Sequence, residues 1–188
     1  EKIAEGMYQS YLEGNLLDFE VEYLLDFIED TDYLKYKQHI IQNEEFVKRL
    51  HELAITYEVK FQKKKRALQI YERLYRYAME SYDTSEKEQQ NYSKSLMGII
   101  RCSFHLGKYL HVVETIEHNE RFLDKVCDEQ EKMQLLMIQG TIYDWSGERE
   151  KSLNSFEKLI LFAENVSDDK YKARGYIGAA WNKHFNDT

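Results

Sequence analysis

Apolar residues recur at helical spacing along most of the chain, and the clearest instance is residues 133–159. Leu136, Gly140 and Tyr143 make one stripe at steps of four and three, Ser146-Gly147 interrupts it, and Ser152, Phe156, Leu159 and Ala163 make a second. Such steps put side chains on one helix face, and Ser-Gly between two runs is a turn signal, so the stretch predicts two antiparallel amphipathic helices. Gly140 and Ser152 are small residues on facing stripes. They let the two helices approach closely while the aromatic rings fill in beside them.

The same pattern extends in both directions. Ile3, Met7 and Tyr11 predict a helix over 1–13, and Gly14-Asn15 a turn. Leu17, Val21, Leu24 and Ile28 predict a second helix, with Phe19, Tyr23 and Phe27 on a neighbouring face, and residues 33–42 a short third one. Phe46, Leu50, Leu53, Ala54 and Tyr57 mark a helix over 44–61; Ala67, Tyr71, Leu74, Tyr75, Ala78 and Tyr82 mark the next. Ser85-x-x-Glu88 and Asp128-x-x-Glu131 are capping-box signatures for helices beginning just after Ser85 and Asp128. Between them, a helix through Tyr92, Leu96, Ile99, Ile100 and Ser103 ends at Gly107, and its partner runs through Tyr109, Val112, Val113, Ile116 and Leu123. Residues 165–169 read as a loop, and 171–185 as a last helix around Gly178 and Trp181.

These elements repeat. Gly107 to Gly147, Val112 to Ser152 and Ile116 to Phe156 are each 40 residues apart. At the small position of each first helix, Ala54, Ile100, Gly140 and Gly178 are separated by 46, 40 and 38. A regular period of this size signals stacked helix pairs. With its small, Tyr, Gly, small and Phe positions, the stretch 133–159 resembles a tetratricopeptide helix hairpin, and the other copies are stretched and degenerate. The resemblance implies an all-α, right-handed superhelix of stacked antiparallel helix pairs, forming a single domain over 1–188. Its repeats would cover roughly 1–42, 43–83, 86–126 and 129–166, with a partial copy over 168–185.

Composition agrees with helices. The chain has 0 proline and 8 glycine residues among 188, 15 tyrosines, 9 phenylalanines and 32% charged residues. The longest apolar run, residues 159–163, is too short to span a bilayer. Cys102 and Cys127 lie in no CxxC motif and near no zinc-spaced histidine, which favours two buried thiols in a reducing cytoplasm over a disulfide. A formal charge of −8 argues against direct nucleic-acid binding. The charge is uneven, with nine acidic and no basic residues over 3–34, then Lys60, Lys63, Lys64, Lys65 and Arg66 in a group. That group reads as a solvated turn, with a contact for nucleic acid, an acidic partner or phosphates as the alternative. Beginning on Glu1 rather than methionine suggests a piece of a longer protein or a processed chain.

No nucleotide-binding, hydrolase, zincin or EF-hand motif is present, so no enzyme and no cofactor is expected. His111, Glu114 and His118 share a helix face and could hold a divalent metal, but no further ligand is placed to complete a set, and the reading is a solvent-facing polar face. Gly175-x-x-Gly178 sits inside a predicted helix and reads as close packing rather than a phosphate cradle.

In stacked helix pairs the first helices line the concave, ligand-binding side. Registered on the small positions, that side would carry Lys94, Met97, Arg101, Phe104 and His105, then Gln134, Met137, Thr141, Asp144 and Trp145, then Lys172, Asn182 and Lys183. Arginine and the amides suit a peptide backbone or carboxylate, and the apolar residues suit its side chains. The stretched repeats, the missing proline, the Tyr/Lys/Glu/Asn-rich composition and the lack of catalytic motifs resemble the sensor domains of Gram-positive peptide-pheromone regulators, the Rap, NprR, PlcR and PrgX type. That resemblance implies a cytoplasmic regulatory module that binds a short peptide, with a homodimer open as its assembly and no membrane contact. A constitutive protein-docking scaffold is the alternative.

Overall fold

The computed structural model describes residues 44–80 and 86–184, besides Ser10. The expected helices over 1–13, 17–28 and 33–42 and the capping box at Ser85 lie outside the described residues. Those described form seven α-helices: α1 (Glu44–Ile55), α2 (Lys64–Glu80), α3 (Glu86–His105), α4 (Tyr109–Val126), α5 (Glu129–Trp145), α6 (Arg149–Asn165) and α7 (Asp169–His184). Consecutive helices pack as pairs, consistent with a helical repeat. The chain divides into two compact units, Glu1–Ile99 and Ile100–Thr188, and the division falls within α3.

In the first unit, Leu50, Leu53 and Ala54 of α1 and Ala67, Tyr71 and Leu74 of α2 are buried, as their stripes require. The helix expected over 44–61 does not run through unchanged. Its end widens into a π-helical turn, Thr56–Lys60, closed by the Phe61 amide donating to the Thr56 carbonyl at 3.1 Å. The wide turn rotates Glu58 inward, where its carboxylate accepts the Tyr71 hydroxyl at 3.0 Å, and leaves Phe61 exposed. The basic group that follows is a solvated turn. Lys60, Lys63 and Lys65 face water, while Lys64 Nζ donates to the Glu58 carbonyl at 2.8 Å. Tyr71 also covers Gly98 of α3, where an added Cβ would fall 2.5 Å from the ring. Beside it, buried His51 sits 3.4 Å from the Ser95 hydroxyl. Burial, with Lys94 adding to it, lowers the His51 pKa to about 4.

In the second unit, three helices end alike. Gly107 (φ 75°), Gly147 (φ 79°) and Ser167 (φ 59°) each take the left-handed conformation that closes a Schellman turn. The following amides, of Lys108, Glu148 and Asp168, reach back to the carbonyls of Ser103, Tyr143 and Ala163 at 2.8–2.9 Å. The remaining connection, between α4 and α5, is the expected capping box: Asp128 Oδ1 accepts from the Glu131 amide at 2.8 Å, and Glu131 Oε2 accepts from the Asp128 amide at 3.1 Å.

The core of this unit is Phe156 of α6, held between α5 and α7. An added Cβ at Gly140 would come within 2.9 Å of its ring, and one at Gly178 within 2.5 Å. Gly175 is close-packed against Ile160 in the same way, so the two glycines of α7 serve packing. Ser152, one turn before Phe156, donates to the Gly140 carbonyl at 2.7 Å and accepts from Asn182 Nδ2 at 2.9 Å. Leu159, Ala163, Met133, Tyr171 and Ala179 complete the core. Cys102 and Cys127 are buried thiols that are not joined in a disulfide.

Candidate functional site

The residues expected to bind a ligand separate on inspection. Two are not surface residues at all. Met97 is 0% exposed and lies in a run of buried α3 residues with Ser95, Leu96 and Ile99. Asn182 is 2% exposed, and its amide is committed to Ser152 Oγ and, at 3.1 Å, to the Gly178 carbonyl. Both are structural, a correction to the expected groove. Lys172 is tied to Glu164 at 3.0 Å, and the Lys183 side chain lies outside the described residues. Lys94 is exposed and belongs, with Met97, to the first unit.

The others share one side of the second unit. Phe104 lies flat against Trp145 (ring centroids 5.6 Å apart, planes 3° apart), with Tyr109 edge-on to Trp145 at 4.9 Å and His105 against Phe104 at 5.5 Å. Trp145 is nevertheless 57% exposed. Arg174 Nη1 reaches the Met137 sulfur at 3.5 Å. Arg101 acts electrostatically on Glu131 and Tyr171. Thr141 turns its hydroxyl back to the Met137 carbonyl at 2.8 Å. Gln134 and Asp144 are half-buried. On this side, then, Phe104, His105, Tyr109 and Trp145 form an aromatic cluster, and Arg174 reaches Met137 beside it.

A cavity lies on the opposite side of α5. At 3.6 residues per turn, Lys132, Leu135, Leu136, Gln139 and Tyr143 face away from Met137, Thr141 and Trp145. They form the floor of a groove of about 750 Å³ whose walls are α4 and α6. Ile116, Leu123, Leu135, Leu136 and Phe162 make its apolar lining, and the volume lies in the ordinary range for ligand sites. Polar groups line its length: Glu120 and Asp124 on the α4 wall, Lys151, Asn154, Lys158 and Asn165 on the α6 wall, and Lys132 and Gln139 on the floor. Gln139, Asn154 and Asn165 make no hydrogen bond through their carboxamides to the described residues, so each offers a free donor and acceptor.

Lys151 ties one end of the groove together. It pairs with Glu148 and stands 5.3 Å over the Tyr143 ring. Its pKa is raised, first by the hydrogen bond to Glu148 and then by the charges of Glu148, Tyr143 and Glu117. The pKa of the Tyr143 hydroxyl is pushed up by burial and then by the charge of Glu117 on α4. Tyrosine 143, on an apolar stripe in the sequence, is thus half-buried and part of the site.

Nothing in the described residues suits a metal. His111, Glu114 and His118 are all exposed, His118 Nδ1 lies 2.7 Å from the Glu114 carbonyl, and no three His, Cys, Asp or Glu side chains converge. No helix among these residues is long and apolar enough to cross a membrane. Comparison of the chain with protein-family models, with curated proteins and with solved structures finds no match.

Proposed function

We propose that this chain is a peptide-binding helical-repeat module, and that it forms the regulatory sensor part of a cytoplasmic bacterial transcriptional regulator responding to a short signalling peptide. The observation that carries the reading is the groove between α4 and α6, which combines apolar side chains such as Leu136 and Phe162 with unengaged carboxamides. Apolar lining rewards burial of ligand side chains at about 25 cal/mol per Å². A carboxamide offers one donor and one acceptor group, the complement of a peptide unit. The side chains that line the groove come from three helices, so a bound segment would bias how those helices sit against one another, as a sensor requires.

The test is native mass spectrometry of the protein isolated from its own host. A discrete peptide retained one per chain, and stabilising the protein by about 2.7 kcal/mol at a hundredfold excess over its Kd, is the expected result. A ligand that is instead a large protein bound constitutively, with no peptide that shifts stability, would replace the sensor by a docking scaffold.

A further inference from the structure

The walls of the groove carry opposite charges that do not meet. Glu120 and Asp124 stand on α4, Lys158 on α6 and Lys132 on the α5 floor. None of the four is in an ion pair with another described residue, whereas Lys151, farther along the same wall, is occupied by Glu148. Exposed Glu120, Asp124 and Lys158 with half-buried Lys132, each left unpaired along an open groove, are matched by a ligand that brings the opposite arrangement.

The unengaged amides choose the ligand's conformation. A helix satisfies its own backbone and has no use for Gln139, Asn154 and Asn165, while an extended chain presents unpaired N–H and C=O groups along its length. The spacing of the acids agrees. Glu120 and Asp124 are four residues apart on α4, a rise of about 6 Å at 1.5 Å per residue. Alternate side chains of an extended peptide, which point the same way, are separated by about 6.6 Å.

We infer that the groove takes an extended peptide with two basic side chains at alternate positions, set against Glu120 and Asp124, and an acidic side chain or terminal carboxylate set against Lys158 and Lys132. The apolar residues of the peptide go to Leu135, Leu136 and Phe162. This inference rests on the groove being the peptide site and adds the ligand's charge pattern to it.

The experiment is a selection of a random dodecapeptide library against the whole chain and against its Glu120→Lys/Asp124→Lys variant. Both substitutions are at exposed positions of α4, so an unchanged melting curve is the control that the variant is folded. Selection by the unaltered chain is expected to enrich basic residues at alternate positions. The selected peptides should bind the variant at least tenfold more weakly, and selection on the variant should enrich acidic residues at those positions. Peptides that bind both proteins equally, or a consensus without the basic pair, overturn the charge pattern while leaving the groove as a peptide site. If no peptide is retained by either protein, the groove reading fails, and this inference with it.

Discussion

Phe156 occupies the space that two glycines leave, and that arrangement can be tested directly. In Gly178→Ala the new methyl carbon would lie 2.5 Å from the ring where ordinary contact begins near 3.4 Å, an overlap of 0.9 Å (3.4 − 2.5). In Gly140→Ala the overlap is 0.5 Å (3.4 − 2.9). A lone flexible ring could retreat from either intruder. Here it cannot, since moving away from α7 drives it toward the α5 backbone and the reverse. Overpacking of this kind costs roughly 1–3 kcal/mol, and the better helix propensity of alanine returns about 1 kcal/mol. Gly178→Ala should therefore destabilise by about 1–2 kcal/mol, and Gly140→Ala by about 0–1 kcal/mol. At this chain length each kcal/mol is worth about 2–4 °C in Tm. Thermal and urea melts of both variants, of the double variant and of each with Phe156→Leu complete the cycle. The double variant should lose more than the sum of the singles, because each removes the other's escape, and Phe156→Leu should cost less in Gly178→Ala than in the unaltered chain. A Gly178→Ala protein that melts higher than the unaltered one, or single effects that simply add, would refute the clamp.

Three further outcomes follow from particular groups. Asp128→Ala removes one half of the capping box at the start of α5 and should cost about 0.5–2 kcal/mol in a urea melt. Ser152→Ala leaves the Gly140 carbonyl and the Asn182 amide without the hydroxyl that joins them, both buried, and should cost about 1–3 kcal/mol; a neutral result would show that this network contributes nothing. His51, neutral when folded, has a pKa of about 4 against the usual 6.5. Below pH 6.5 the unfolded chain takes up a proton that the folded chain refuses, so stability is intact above that pH and falls as the pH drops from 6.5 toward 4. The 2.5-unit difference (6.5 − 4) corresponds to a loss of about 3 kcal/mol across that window. His51→Gln should flatten the curve between those pH values, and equal acid sensitivity in both proteins would contradict it.

The packing of the second unit was legible because it is written in local pattern. Gly140, Ser152 and Phe156 fall on facing stripes, Gly107 and Gly147 recur where the chain must take a positive φ, and Asp128 with Glu131 spells its own cap. Met97 and Asn182 were misplaced for a common reason. A stripe predicts one covered face, whereas α3 is buried at every position from Ser95 to Ile99, and α7 buries a polar residue because α6 brings Ser152 to meet it. The π-helical turn at Thr56–Lys60 leaves no mark in the spacing, since Tyr57 continues the stripe of α1. The groove was missed because its lining reads as solvated helix surface. Lys132, Gln139, Asn154 and Lys158 look like the polar sides of three amphipathic helices. Only the separation of α4 from α6 turns those sides into walls, and no single helix encodes that distance.

The central claim is that a peptide is held on the α4–α6 side of α5, and the side-chain signals of a nitrogen-15-labelled sample test it most directly. On titration with a peptide selected on the unaltered chain, the carboxamide signals of Gln139, Asn154 and Asn165 should move and saturate together. The indole N–H of Trp145 and the carboxamide of Gln134, on the far side of α5, should stay in place. Movement of Trp145 and Gln134 with the other three silent would put the ligand on the opposite face and contradict the account.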